Sequence, residues 1–267
     1  MGTNYVHGYS ATEGERLVDQ ATTLTSLLHH DTRYPAGSLV LEPGCGVGAQ
    51  TITLAASSPE ASFVSVDISE QSLALARHRV TAAGSANVTF QREDVFRLSF
   101  PDDCFDHVFV CFLLEHLARP ELALAELRRV LKPAGSITVI EGDHGSAFFH
   151  PDSVFARSAI QCLVDLQRTD GGDALIGRRL YPLVSQAGFR NVFVSPRFVY
   201  ADSSRPEMVE GFTRKTFTAM VEGVGERAVS AGLADRESWA AGIRDLRRTA
   251  AQDGVFCYTF FKAVGRK

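Results

Sequence analysis

Apolar positions along the chain fall into short runs that alternate between two spacings. Leu17, Ala21, Leu24, Leu27 and Leu28 recur at helical intervals, predicting a helix over residues 11–30 with Ser10 or Thr12 at its start. After a loop broken by Pro35, residues 39–41 form a compact apolar run, the pattern of a strand buried on both faces of a parallel sheet. Thr51, Ile52, Leu54 and Ala55 return to helical spacing. The pattern then repeats: strands end at Asp67, span 87–91, end near Phe112 and span 136–140, with helices predicted over 69–80 and 122–130. Strands alternating with helices this regularly predict an α/β fold, a doubly wound sheet with helices on both faces.

Beyond Asp143 the pattern changes. Phe148, Phe149, Phe155, Ile160, Leu163 and Leu166 predict a loop and helix over 146–168, and a last sheet-packing helix is expected over 180–187. Residues 191–199 and 255–264 read as an antiparallel strand pair. Between them, residues 201–254 carry two predicted helices, over 206–221 and 237–251. A segment of that length at the sheet edge is expected to be functional rather than a passive loop. The chain is therefore read as one domain over 1–267, with cap elements at about 1–30, 145–170 and 201–254. A subunit interface, giving a homo-oligomer, is the competing use of the insertion.

The stretch between the first strand and the second helix carries the chemistry. It reads Glu42-Pro43-Gly44-Cys45-Gly46-Val47-Gly48. Glycines at alternate positions turn the chain sharply and let a ligand approach the backbone with no Cβ in the way. Asp67 follows at the end of the second strand, where nucleotide-binding units place the acid that holds a ribose; a helix N-cap is its plainer reading.

Composition narrows the rest. The 267 residues are 45% hydrophobic and 22% charged, the make-up of an ordinary globular protein. A formal charge of −4 offers no electrostatic footprint for a nucleic-acid backbone. Five scattered cysteines without a Cys-x-x-Cys pair argue against a zinc site or a disulfide framework. With no signal-peptide pattern and no membrane-length apolar run, a cytoplasmic protein is expected, with no membrane and no metal.

Taken in order, LEPGCGVG, VDIS, REDVFRLSFPDDCFDHVFVCFLLEHL and LKPAGSITVIE resemble the class I S-adenosylmethionine-dependent methyltransferases. Among these they are most similar to the small-molecule enzymes of ubiquinone and menaquinone biosynthesis, over about residues 38–142. The resemblance implies a Rossmann-like seven-stranded sheet, mostly parallel with an antiparallel last strand. It implies S-adenosyl-L-methionine as cofactor and S-adenosyl-L-homocysteine as product. The loop of Gly44, Cys45, Gly46 and Gly48 would run beside the methionine part, with Glu42 helping to order it. Asp67 would take the ribose hydroxyls, Ile68 would pack on the adenine, and Asp94 and the Val95 N–H would address its edge. Phe112, Leu113 and His116 would line the cofactor side of the turn after the fourth strand, while from the N-terminal side Tyr9 would close over the cofactor and Gln20 would reach its carboxylate.

Methyl transfer from a sulfonium needs positioning and exclusion of water more than a protein nucleophile. His144 and His150, just after the fifth strand, are placed to act as a base towards a hydroxyl acceptor. Phe148, Phe149 and Phe212 are candidates to line an apolar substrate cavity, so O- or C-methylation of a small apolar metabolite, as in natural-product biosynthesis, is the expected activity. A non-catalytic protein that binds S-adenosylmethionine for regulation is the first alternative. An NAD-dependent oxidoreductase is a weaker one, since Gly-x-Gly-x-x-Gly does not fit the loop. A nucleic-acid methyltransferase is disfavoured by charge and by the sequence CFLLEH at the end of the fourth strand.

Overall fold

The structure, a computed structural model, describes residues 11–267. Apolar residues alternate along the central strands and so feed two cores. Val40, Phe63, Phe109 and Ile140 enter one, while Leu41, Val66, Val108, Val110 and Val139 enter the other. Strands buried on both faces in this way must be covered by helices on both sides. The strands are β1 (Leu39–Pro43), β2 (Ser62–Asp67), β3 (Val88–Arg92), β4 (Phe105–Cys111), β5 (Leu131–His150), β6 (Arg190–Asp202) and β7 (Val255–Arg266). They form one seven-stranded sheet in the order β3-β2-β1-β4-β5-β7-β6. The first five pair in parallel. β7 runs antiparallel to both its neighbours. The expected mixed doubly wound sheet is thus present, and the order reverses between β1 and β4, where such sheets open a crevice at their carboxyl edge.

The helices of the sheet layers are α1 (Ala11–His29), α2 (Ala49–Ser57), α3 (Glu70–Ala82), α4 (Pro120–Val130), α5 (Val154–Thr169) and α6 (Leu180–Gln186). Ser69 caps α3, accepting a hydrogen bond from the Ser72 N–H, and Ser153 caps α5 in the same way from Ala156. The cap role left open for Asp67 therefore belongs to Ser69.

The insertion is more broken than its pattern predicts. A single turn, α7 (Pro206–Met208), leads into a π-helical stretch (Val209–Thr218) and then α8 (Ala219–Gly223), α9 (Gly225–Ser230) and α10 (Arg236–Arg248). The π-helical stretch packs on α1, and α10 packs on α5. Gly211 permits the first contact: a Cβ there would lie 2.2 Å from Thr23 Oγ1.

The largest departure concerns β5. Its expected end at Ile140 is passed, and the strand continues to His150 with a register break between Asp143 and Phe148. Glycines 142 and 145 and the polar residues around them read as a loop in sequence, but Gly142 and Asp143 pair antiparallel with β7, while in the break the His144 N–H donates to Ala174 O and the Gly145 N–H to Asp143 Oδ1. β5, β6 and β7 together stand above the edge where β1 and β4 stop, and so build a wall beside the crevice.

Candidate active site

Three glycines open the crevice. Gly44, Gly46 and Gly48 all adopt positive φ, at 67°, 52° and 79°. At Gly44 a Cβ would approach Leu113 Cδ1 to 2.7 Å, and at Gly48 it would come within 3.0 Å of Ala76 on α3. At Gly46 it would meet nothing within 4 Å. Two glycines thus permit close packing, while the third turns bare backbone towards open space. The loop is held by the Cys45 N–H donating to Val66 O at 3.0 Å and the Gly46 N–H donating to Asp67 Oδ2 at 2.9 Å. Asp67 Oδ1 accepts from the Ser69 N–H at 2.9 Å. Burial raises the Asp67 carboxyl above its ordinary pKa, and these backbone donors oppose that shift.

Glu42 lies beneath the loop and does not line the crevice. Its Oε2 accepts from Thr51 Oγ1 at 2.7 Å and Ser65 Oγ at 2.6 Å, tying α2 and β2 to the end of β1. Burial, with a smaller contribution from nearby Asp67, pushes its carboxyl up to about 7.

Around the loop lies a cleft that opens to solvent. Its lining includes Gln20, Gly44, Cys45, Gly46, Asp67, Ile68, Asp94, Val95, Phe112, Leu113 and His116. Asp94 is exposed on the rim, and its Oδ1 accepts from the Phe96 N–H at 2.9 Å. Phe112 sits at φ 53°, a conformation non-glycine residues rarely adopt, and so sharply turns the chain after β4. That turn is held from below by Glu141, whose Oε1 accepts from the Leu113 and Leu114 N–H groups at 3.1 and 2.7 Å. From α1, Arg16 Nη1 donates to Gln20 Oε1 at 3.2 Å, and both side chains face the cleft. Tyr9 lies outside the described residues.

The opposite wall is apolar. Phe212, Phe217 and Met220 come from the insertion, Tyr258 and Phe260 from β7, and Gly142 and His144 from β5. The aromatic rings are in mutual contact, with Tyr258–Phe260 centroids 4.7 Å apart and Phe212–Tyr258 at 5.5 Å. His144 is buried, and its Nδ1 lies 2.7 Å from Tyr258 Oη. Burial first of all lowers its pKa, so the ring is held neutral, while Glu115 acts against that shift.

Several expected residues stand elsewhere. Phe148 is 57% exposed and stacks on Phe198, centroids 6.0 Å apart, on the sheet extension away from the cleft. Phe149 stacks on Phe256 at 6.1 Å, and His150 is an exposed residue paired with Val255. None of the three lines the cleft, because residues 145–150 continue β5 instead of forming part of a cap. Gly48 also lies off the lining, as the packing glycine at the start of α2. Glu115, Tyr258 and Phe260 line the cleft and were missed. The period of two in β7 was the available signal for the aromatic pair: Phe256, Tyr258 and Phe260 share a face, and that face looks at the insertion.

The methyltransferase-domain family matches residues 41–139. An uncharacterized 37.1 kDa protein in transposon TN4556 of Streptomyces fradiae is 34% identical over 217 residues, covering 80% of this chain and 59% of that protein. A demethylmenaquinone methyltransferase of Clavibacter sepedonicus is 41% identical over 106 residues, 40% of this chain and 42% of that enzyme. The chain thus spans about half the length of the curated relatives it matches. The crystal structure of Haemonchus contortus phosphoethanolamine N-methyltransferase 2 with S-adenosyl-L-methionine covers 93% of this chain and 52% of its own, with a TM-score of 0.56 and 16% identity, a likeness of fold. By sequence across the glycine loop and central strands, residues 41–139 form a methyltransferase domain of the class I S-adenosylmethionine-dependent kind, similar over that part to the enzymes of quinone biosynthesis.

Proposed function

We propose that this chain transfers the methyl group of S-adenosylmethionine to a small, largely apolar molecule. The carrying observation is a single cleft with two unlike halves. One half has bare backbone at Gly46 beside the carboxylates of Asp67 and Asp94; the other is a wall of aromatic rings.

The residues present fit the cofactor. The space a Cβ would fill at Gly46 is open, so a ligand can lie against the loop. Asp67 and Asp94 present acceptors for ribose hydroxyls and an amino group, Val95 next to Asp94 a backbone donor, and Ile68 an apolar rim, 43% exposed, for an aromatic ring. Phe112, Leu113 and His116 border the methionine side, with Gln20 reaching over from α1. Bound there, S-adenosylmethionine supplies a methyl group on a positively charged sulfur.

The chain's own contribution is to position the acceptor and exclude water. Phe212, Phe217, Met220 and Phe260 line a surface that hydrogen-bonds little and selects apolar molecules. His144, neutral and buried on that wall, is the group placed to receive a proton from an acceptor.

Calorimetric titration of the full chain with S-adenosylmethionine, S-adenosylhomocysteine and NAD tests the reading. Micromolar binding of the two adenosyl ligands and none of NAD is expected. Binding of NAD alone, or of no ligand, would overturn it.

A further inference from the structure

One polar feature interrupts the aromatic wall, and it is a chain of three buried side chains. Tyr258 Oη lies 2.7 Å from His144 Nδ1, and on the far side of the same ring His144 Nε2 lies 3.9 Å from Glu115 Oε2. All three residues line the cleft, and each is at most 7% exposed. Glu115 is itself oriented: Gln167 Nε2 donates to its Oε2 at 3.2 Å, and His116 Nε2 lies 3.7 Å from its Oε1. Tyr258 Oη occupies the space a side chain at residue 142 would need, since a Cβ on Gly142 would lie 2.3 Å from it. The strand register that sets Gly142 opposite Phe260 therefore reserves a place for this hydroxyl.

Such an arrangement does nothing for a hydrocarbon and much for an acceptor with a hydroxyl group. A buried hydroxyl without a partner is costly, and Tyr258 is the hydroxyl of this wall that lies within hydrogen-bond distance of a ring nitrogen able to take its proton. Neighbouring Thr216, by contrast, spends its Oγ1 hydrogen on Gly211 O at 2.7 Å.

The geometry points to Tyr258, His144 and Glu115 as a proton relay, and to an apolar acceptor bearing a weakly acidic hydroxyl, a phenol or enol, methylated at oxygen. The inference rests on the methyltransferase reading above. In the transfer, a lone pair of the acceptor oxygen forms the new O–C bond while the C–S bond pair returns to sulfur. The acceptor's hydroxyl proton passes to Tyr258 Oη, whose own proton moves to His144 Nδ1. The imidazolium so formed faces the Glu115 carboxylate, and its proton leaves to solvent after product release. His144 must therefore rest with hydrogen on Nε2 and a free pair on Nδ1. The other charged groups around the ring are His116 and Arg16, which disfavour its protonation, and Asp143, which favours it and is itself paired with Arg178.

Nitrogen-15 NMR of the full chain bound to S-adenosylhomocysteine reads the tautomer without any reaction. The Nε2–H form is expected for His144. The Nδ1–H form would overturn the relay, because that ring would donate to Tyr258 and could take no proton from it. In the same spectra Glu115→Gln should move the His144 titration to lower pH; an unmoved titration removes Glu115 from the relay.

Turnover is read on apolar phenols, 2-naphthol and 4-phenylphenol, against the carbon and nitrogen acceptors indole and 2-naphthylamine. O-methylation of the phenols is expected, with Tyr258→Phe lowering kcat about a hundredfold and leaving KM and S-adenosylhomocysteine affinity within about twofold, the split that distinguishes proton transfer from binding. Wild-type kcat in Tyr258→Phe, or methylation of neither phenol by a protein that binds S-adenosylmethionine, overturns the proposal. Failure of the wild type to bind S-adenosylmethionine at all would instead overturn the methyltransferase reading beneath it.

Discussion

Gly44 and Gly46 are indistinguishable in sequence, yet a Cβ at the first would strike Leu113 at 2.7 Å and at the second would meet nothing. Both adopt positive φ, so either substitution carries a backbone cost of about 1 kcal/mol. Gly44→Ala adds a clash with the turn after β4 and should lower stability by a further ~1–3 kcal/mol in urea denaturation. Gly46→Ala should instead mainly lower S-adenosylhomocysteine affinity in calorimetry, with the smaller loss of stability; equal effects of the two on both readouts would refute the assignment. Asp67→Ala removes the acceptor that holds the Gly46 N–H. Its loss should weaken adenosyl-ligand binding about tenfold or more, and unchanged affinity would take Asp67 out of the site. At this scale the sequence was informative where backbone geometry dictates residue type. Gly44, Gly46, Asp67, Asp94 and Phe112 all reach the cleft they were expected to line, while Gly48 packs against α3 instead. It was uninformative where a side chain's direction depends on strand register, and so His150, Phe148 and Phe149 were assigned to a cavity they do not face.

Among the elements, α1 is fastened to the sheet and to the insertion by different means. At its end His29 is buried, with Nε2 hydrogen-bonded to Gln50 Oε1 at 2.8 Å and Nδ1 without a partner. Burial lowers its pKa from 6.5 to about 4. Folding then requires the neutral ring, so the stabilisation is complete above pH 6.5 and is lost as pH falls through 4. Denaturation at pH 5 should show a stability loss of about 2 kcal/mol relative to pH 7 that is absent in His29→Leu; parallel pH curves would contradict this. Nearer its middle, α1 meets the π-helical stretch at Gly211. Gly211→Ala should lower the thermal midpoint by several degrees, about 1–3 kcal/mol of overpacking, with part of the loss recovered in Gly211→Ala/Thr23→Ala. Element boundaries were legible because hydrophobic period reports which face is buried. The kind of helix in the insertion was not: Val209, Phe212, Thr213, Thr216 and Phe217 have spacing that a helix of either winding can bury. The extension of β5 was hidden for another reason. Gly142, Asp143 and Gly145 look like a turn until β7, far away in sequence, pairs with the first two and again with residues 148–150.

For the whole molecule, the sheet order follows from the alternation of strands and helices, since right-handed crossovers leave few topologies. The antiparallel pairing of β6 with β7 was likewise expected, and the structure adds that β7 lies between β5 and β6. What the chain order does not carry is how α1 and the insertion meet each other and the sheet, because that depends on contacts that are remote in sequence. Those contacts set the aromatic wall of the cleft, with the buried Tyr258–His144 pair in it, beside the glycine loop. If adenosyl ligands bind across this junction, saturating S-adenosylhomocysteine at a hundred times its Kd should stabilise the fold by about 2.7 kcal/mol, read as a rise in thermal midpoint; no rise would place binding outside the folded cleft. The most direct test of the account is to follow the methyl group itself. The full chain would be incubated with methyl-deuterated S-adenosylmethionine and a mixture of small apolar hydroxyl compounds, and the products read by mass spectrometry. The account predicts the labelled methyl group on the oxygen of an apolar small molecule. Label recovered only on nucleic acid or protein, or left entirely on the sulfur of a cofactor that demonstrably binds, would contradict it.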